Sequence, residues 1–139
     1  TAYMEMAREF YHSDDVLHPV PDTYFERTAD EALRSDVYAE IFLFECENEA
    51  AGYGLIAKTY SQEAGGMVWW IEEVYVREAF RSKGIGREFF AYLDKVKGSA
   101  VTRMRLEVEE DNTRAVALYK KLGYKPLEYA QMIKDAPLK

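Results

Sequence analysis

The chain has 139 residues, of which 48% are hydrophobic and 31% charged, and its formal net charge is −7. This length favours one domain, and the composition is that of an ordinary soluble globular protein. The acidic balance argues against a general nucleic-acid binder, and no apolar run approaches the length of a membrane span. Because Cys46 is the single cysteine, a disulfide framework is excluded. We therefore expect one cytoplasmic domain over residues 1–139, with no nucleic-acid or membrane partner.

Residues 2–66 are predicted to form two helices followed by a hairpin. Residues 2–11 look helical, and apolar and aromatic residues recur at near-helical spacing in 22–33, which follows Pro19 and Pro21. Segments 37–46 and 51–60 are rich in apolar and aromatic residues, with a turn at 47–49 between them. Gly65 and Gly66 then precede a longer strand, 67–76.

Residues 85–139 are predicted to return to helix and strand in alternation. A helix follows Gly84, a strand spans 102–108, and another helix begins after Asp111 or Asn112 and ends at Gly123. Residues 124–133 supply one or two short final strands, broken near Pro126. The pattern predicts an α/β domain in which helices flank a mixed, mostly antiparallel, twisted sheet.

A basic turn with two glycines lies between strand 67–76 and the following helix. Gly84 and Gly86 let the backbone approach a ligand, and the first N–H groups of the helix have no intrahelical partners. Further positive charge comes from Arg81, Lys83 and Arg87. Such a turn suits a phosphate group, although short glycine turns are common. The dinucleotide and P-loop NTPase motifs are absent from the sequence.

The segment V-Y-V-R-E-A-F-R-S-K-G-I-G, residues 74–86, resembles the acetyl-CoA signature of the GNAT superfamily of N-acyltransferases. Arg81, Gly84 and Gly86 fill the fixed places of its pattern (R/Q)-x-x-G-x-(G/A). A second segment, 112–124, is similar to the N-x-x-A-x-x-x-Y-x-x-x-G-(F/Y) stretch of the same families. The resemblance implies a GNAT-like fold, an acetyl-CoA-dependent N-acetyltransferase and a homodimer.

The resembled fold opens with a strand before its first helix. This chain begins at Thr1 rather than Met, and its first predicted element is helical. We therefore expect a fragment or a processed chain whose first strand is missing or lies outside the numbering.

The resemblance also implies which residues meet acetyl-CoA. They belong to the end of strand 67–76, to the glycine turn and to the helix after Asn112. These residues are Val74, Tyr75, Val76, Arg81, Ser82, Lys83, Gly84, Ile85, Gly86, Arg87, Asn112 and Ala115.

Two adjacent carboxylates, Glu72 and Glu73, interrupt the apolar strand. Because consecutive strand residues face opposite sides, one of them must enter protein or a cleft if both faces are covered. Either one is exposed while the other pairs with an arginine, or the two form a site for a cationic amine. The GNAT resemblance implies that this strand carries a bulge and splays from the next strand. Segments 52–61 and 71–76 are similar to the spermidine/spermine and thialysine N-acetyltransferase branch. By that likeness Glu72 accepts the amine proton through water, and Glu73 holds positive charge.

Tyr119 lies seven residues after Asn112 and shares a helical face with it and with Ala115. Helical spacing alone favours a packing role. Beside a thioester, however, a phenol with a reference pKa near ~10 can protonate the departing thiolate. The family likeness gives Tyr119 this role of general acid.

We therefore expect direct transfer of an acetyl group from acetyl-CoA to a primary amine of a small cationic acceptor, without a metal. Two alternatives remain open: a protein or peptide N-acetyltransferase, and a non-catalytic acyl-CoA-binding regulatory module. The acceptor would be recognised by residues 10–34. That segment contains aromatic, acidic and histidine side chains that fit an amine pocket and a packed surface equally well: Tyr11, His12, Asp14, Asp15, His18 and Tyr24.

Overall fold

The computed structural model describes residues 1–14 and 16–137, and Asp15 of the expected acceptor region lies outside them. The chain divides into two compact parts, Thr1–Glu107 and Val108–Lys139. That residues 1–139 form one domain stays a prediction. In the part of the chain that the structure describes, no helix is both long and apolar enough to cross a membrane.

The elements of the first part are α1 (Ala2–Tyr11), α2 (Asp22–Arg34), β1 (Ala39–Cys46), β2 (Glu49–Ser61), β3 (Gly66–Val76), a 3-10 turn (Glu78–Phe80), α3 (Ile85–Val96) and β4 (Val101–Leu106). The second part contains α4 (Thr113–Lys121). All helices and strands predicted up to residue 123 are confirmed, with ends that differ by two residues or fewer.

The final strands predicted in 124–133 are wrong for the residues that the structure describes. After α4 the chain adopts no helix or strand up to residue 137. Pro126 lacks a ladder donor, and Met132 and Ile133 are 95% and 86% exposed. A strand is stabilised by pairing and by burial of one face, and this apolar segment lacks that burial.

The sheet has the order β1-β2-β3-β4. The β1–β2 and β2–β3 pairs are antiparallel and the β3–β4 pair is parallel, which confirms the mixed, mostly antiparallel sheet. Helices α1 and α2 cover one face, where Tyr3, Met6 and Phe25 form a buried cluster with Tyr53 and Tyr75.

The opposite face of the sheet is covered by α3. Phe89 lies directly over Gly54, where an added Cβ would approach its ring to 2.3 Å. The ring also packs against Phe42 and Phe44, with centroid distances of 5.5 and 4.9 Å. Glycine at position 54 therefore lets α3 approach the sheet backbone closely.

Candidate active site

The regular pairing of β3 with β2 is broken at Glu72. Leu55 lies opposite Glu73 and Ile56 lies opposite Ile71, so Glu72 is the extra residue of a β-bulge. The pleat consequently changes phase, and Ile71 and Glu73 lie on opposite faces although they are two residues apart. The bulge that the family resemblance implied for this strand is present.

The bulge brings both adjacent carboxylates to the side of the sheet covered by α1 and α2. Glu73 accepts a hydrogen bond from Tyr11 of α1, and Glu72 lines a cleft together with Arg27 and Thr28 of α2. The expectation that the two carboxylates point to opposite faces is therefore wrong. It assumed an unbroken pleat, and a bulge removes that alternation.

Glu72 stands at the wall of a cleft of about 390 Å³. The cleft lies between α2 and the strands, and its lining residues are Arg27, Thr28, Glu31, Ala39, Leu55, Ile56, Ala57 and Glu72. The Glu72 side chain remains accessible to solvent, while protein atoms replace water on its other sides. This burial raises the pKa of the Glu72 carboxyl, and the negative charges of Glu73 and Glu107 raise it further. Glu72 is thus both reachable and more basic than an ordinary glutamate.

Glu73 is half-buried and is held by phenols rather than by a cation. Tyr11 donates to its Oε2, and Tyr53 donates to its Oε1 at 2.7 Å. Among the described residues, no lysine or arginine forms an ion pair with Glu73. The pairing with an arginine that the sequence left open is therefore not what the structure shows. Burial raises the pKa of both phenols, and Glu73 raises it further, so the two tyrosines remain donors.

In the described residues, the last part of β3 forms backbone hydrogen bonds with a single neighbouring strand. In the described residues β4 pairs with β3 from Met67 to Ile71, so residues 72–76 have a ladder with β2 alone. The Arg77 N–H donates to the Ala51 carbonyl at 2.8 Å. Because donors alternate along an antiparallel strand, the N–H groups of Val74 and Val76 point to the other, open edge.

Arg81 and Tyr75 also form hydrogen bonds near the end of β3. Arg81 Nε donates to the Val76 carbonyl at 2.9 Å, so the first basic residue of the turn holds the end of the strand. Tyr75 faces the core with its ring, and its hydroxyl donates to Glu9 Oε1 at 3.1 Å. Three residues of β3 were predicted to contact acetyl-CoA. The N–H groups of Val74 and Val76 lie at the open edge, whereas the Tyr75 ring lies in the core.

The glycine turn leads directly into the N-terminus of α3. Ser82 and Gly84 have positive φ values of 66° and 79°, a conformation that costs a non-glycine residue free energy. Gly84 is the N-cap, and no side chain among residues 1–14 and 16–137 forms a capping hydrogen bond, so the first N–H groups of α3 have no side-chain acceptor there. Lys83 stays near the turn, with Nζ 5.5 Å from the Phe80 ring centroid.

Gly86, in the first turn of α3, has no reason within the protein to be glycine. An added Cβ would meet no heavy atom within 4 Å, and its φ is not positive. Glycine in a helix is less stable than alanine by about 1 kcal/mol. The missing Cβ leaves open space beside the backbone of the first turn of α3.

The remaining predicted site residues, Asn112, Ala115 and Tyr119, belong to the second part of the chain. Asn112 is the N-cap of α4, and its Oδ1 accepts from the Ala115 N–H at 3.2 Å, which confirms the predicted start of this helix. Tyr119 is half-buried, and its ring lies 6.1 Å from the ring of Tyr124. Burial raises the pKa of the Tyr119 phenol.

The sequence does not predict the roles of two tyrosines beside the carboxylates. Tyr53 lies in the resembled segment 52–61 without a role of its own, and Tyr11 belongs to the expected acceptor region. Their partner Glu73 is 20 and 62 residues away in the sequence, so no local pattern links them. Within the described residues, no group of three or more His, Cys, Asp or Glu side chains could hold a metal ion. His12 lies on the surface, with Nε2 3.6 Å from Asp22.

Comparison with known proteins identifies a family and relatives to which this chain is similar. The model of the acetyltransferase (GNAT) family matches residues 2–124. The thialysine N-epsilon-acetyltransferase of Mus musculus is 31% identical over 138 residues, covering 89% of this chain and 77% of the relative. The protein of the same name from Sus scrofa is 31% identical over 119 residues, covering 76% of this chain and 69% of the relative.

Solved structures share the fold at lower identity. A possible acetyltransferase from Clostridium difficile 630 superposes with a TM-score of 0.82 and 19% identity, over 97% of this chain and 90% of that one. AAC(6')-Iy, in complex with a bisubstrate analogue of CoA and acetylneamine, gives a TM-score of 0.77 and 16% identity, over 98% and 90%. With its fold and its family motifs in agreement, the chain belongs to the acetyltransferase (GNAT) family and is an N-acetyltransferase.

Proposed function

We propose that this N-acetyltransferase moves an acetyl group from acetyl-CoA directly to a primary amine of a small cationic acceptor. The observation that carries this proposal is the bulge at Glu72. It puts a carboxylate with a raised pKa at the wall of a cleft, beside the open edge of the same strand. A base, room for an acceptor and backbone donors for a thioester thus occur within a few consecutive residues.

The residues around the glycine turn fit the diphosphate of acetyl-CoA. The uncapped N–H groups at the start of α3 would bind phosphate oxygens, and Lys83 and Arg87 would add positive charge. The space left by Gly86 would allow the close approach. Asn112 and Ala115 would contribute contacts from the start of α4. Acetyl-CoA supplies the acetyl group in activated form, as a thioester.

The open edge of β3 would orient the thioester arm. The N–H groups of Val74 and Val76 point to this edge and can donate to amide and carbonyl oxygens. A donor fixed by the sheet needs no reorganisation when charge develops on the thioester oxygen, so it stabilises the transition state.

Glu72 would accept the proton of the acceptor amine through a water molecule. A carboxylate with a raised pKa is a stronger base at a pH where most carboxylates are already ionised. The charge of Glu73 would favour a cationic acceptor from a distance, since both of its oxygens already accept from tyrosines. The net charge of −7 acts in the same direction.

Tyr119 would act as the general acid for the departing thiolate. Burial raises the pKa of its phenol, so the hydroxyl keeps its proton at neutral and mildly alkaline pH. That is the state which a proton donor to sulfur requires.

The cleft beside Glu72 is large enough for a small acceptor. A volume of about 390 Å³ lies within the range of small-molecule sites, roughly 300–1,000 Å³. Relatives named for the acetylation of thialysine, and the fold neighbour solved with a CoA–acetylneamine analogue, support an amine acceptor of small size.

Release of CoA should be measured with a panel of primary amines and peptides, in the wild type and in Glu72→Gln. Loss of a general base costs about 10²–10⁴-fold, so we expect kcat/KM for the amine to fall by that order. The affinity for acetyl-CoA should stay unchanged. Glu45→Gln is a matched control, because Glu45 is also a strand carboxylate beside a bulge.

Full activity in Glu72→Gln would remove this residue from the mechanism. Turnover of peptides alone would support the peptide N-acetyltransferase instead.

A further inference from the structure

Glu73 is an anion whose two oxygens are both committed to donors inside the protein. Tyr11 reaches it from α1, and Tyr53 reaches it from the neighbouring strand β2. Carboxylates that are fully withdrawn from water are almost always paired, commonly with a cation. Two neutral phenols stabilise the charge of a carboxylate without cancelling it, so the negative field of Glu73 persists around it.

The two phenols are themselves fixed by packing. Tyr53 is completely buried, and its ring meets the edge of Tyr3 at a centroid distance of 5.0 Å. The Tyr11 ring packs at 5.0 Å from Phe25 of α2. Rotation of Tyr53 would disrupt the core, and packing against Phe25 restricts the partly buried Tyr11, so the Glu73 carboxylate is held from two sides.

The bulge places this fixed anion directly beside Glu72 and on the same side of the sheet. Other charged or titratable groups also face Glu72: Glu107 directly after β4, Arg27 and Glu31 of α2, and Tyr11 of α1. Glu31 forms an ion pair with Arg34, which weakens its field. Glu73 adjoins Glu72 in the chain, and no ion pair with a described residue weakens its charge.

We propose that Tyr11 and Tyr53 are positioning residues of the transfer reaction, which hold Glu73 as a fixed anion that makes the neighbouring Glu72 more basic. This inference rests on the proposed role of Glu72 as the base. The proton taken from the amine ends on Glu72, and Glu73, Tyr11 and Tyr53 exchange no proton. A carboxylate beside another negative charge binds its proton more tightly, which is the effect required.

The test is the dependence of kcat/KM on pH in Glu73→Gln, measured with two acceptors whose amine pKa values differ. On the acid limb of each profile, kcat/KM decreases as the pH falls. A decrease that occurs at the same pH with both acceptors reports protonation of the enzyme base. Loss of the adjacent charge should shift this limb to lower pH by about one unit. Glu9→Gln is the matched control, since Glu9 also accepts from a tyrosine, Tyr75, but does not adjoin Glu72. Its limb should stay in place.

A second variant keeps the test independent of any misfolding of Glu73→Gln. Tyr11→Phe removes one donor and keeps the ring, so the Glu73 carboxylate is no longer held from both sides beside Glu72. The limb should move in the same direction by a smaller amount. Tyr38→Phe is the matched loss of a hydroxyl from an exposed tyrosine and should leave the limb unmoved.

An unmoved limb in folded Glu73→Gln or in folded Tyr11→Phe would overturn this inference. Full activity of Glu72→Gln would instead overturn the proposed function, so the two failures are distinguishable.

Discussion

Replacing Gly86 by alanine should stabilise the protein while weakening its binding to acetyl-CoA. The added Cβ meets no protein atom within 4 Å, and the backbone there is not left-handed. Replacing glycine by alanine at a compatible position commonly stabilises by about 0.4–1 kcal/mol. We expect an increase in the free energy of unfolding within that range, measured by urea denaturation.

The same methyl group would occupy the space through which a phosphate reaches the N–H groups of α3. A displacement that costs about 1.4 kcal/mol or more weakens binding at least tenfold. Calorimetric titration with acetyl-CoA measures this loss directly. Because the fold becomes more stable, weaker binding could not be attributed to unfolding.

Gly98→Ala provides the matched control. Gly98 also has open space around its missing Cβ, but its φ is +72° and it follows the opposite end of α3. This variant should lose stability, since alanine is strained there, and should keep its affinity for acetyl-CoA. Undiminished binding in Gly86→Ala would refute the assignment of the turn as the phosphate site.

Three other perturbations test the fold and the site. Gly54→Ala should destabilise the protein by about 1–3 kcal/mol because its Cβ would collide with the buried Phe89 ring. Adding Phe89→Leu to this variant should recover part of the lost stability. If the two losses simply add in denaturation experiments, the contact between the two residues is contradicted. Folding raises the pKa of Glu72, so its protonated form favours the folded state and this contribution is lost as pH rises through the raised pKa. Glu72→Gln should therefore increase stability at neutral pH, by less than about 1 kcal/mol given its exposure, and change little in acid; an equal gain at both pH values would refute this. Tyr119→Phe should lower kcat by about 10²–10⁴-fold with acetyl-CoA affinity little changed, and full activity at saturating substrates across pH 6.5 to 9.5, about three pH units, would return Tyr119 to a packing role.

The sequence predicts those elements that carry a local signal. The helix α1 has its predicted bounds, and Asn112 caps α4 as expected, because capping and apolar periodicity are properties of neighbouring residues. The strands predicted in 124–133 failed for the opposite reason. Apolar content alone does not make a strand, since pairing depends on a partner that the segment itself does not specify.

The arrangement of the carboxylates also lay beyond local reasoning. Alternation along β3 predicted opposite faces for Glu72 and Glu73, but a bulge is defined by the register with β2. The family resemblance supplied the bulge, whereas periodicity could not. The tyrosines that hold Glu73 come from α1 and β2, at sequence separations that no motif covers.

The contacts between α1 and β3 have a consequence for synthesis of the protein. Tyr11 binds Glu73, and Glu9 binds Tyr75 and Arg77, across 62, 66 and 68 residues respectively. At about 5–20 residues per second, a ribosome needs roughly 3–12 s to progress from α1 to β3. During this interval α1 can pack on α2 and on β2, where Tyr53 meets Tyr3, but Tyr11 and Glu9 still lack their partners on β3 and at Arg77. A nascent chain that stops before β3 would therefore carry the donors of the Glu73 site without the carboxylate that they hold.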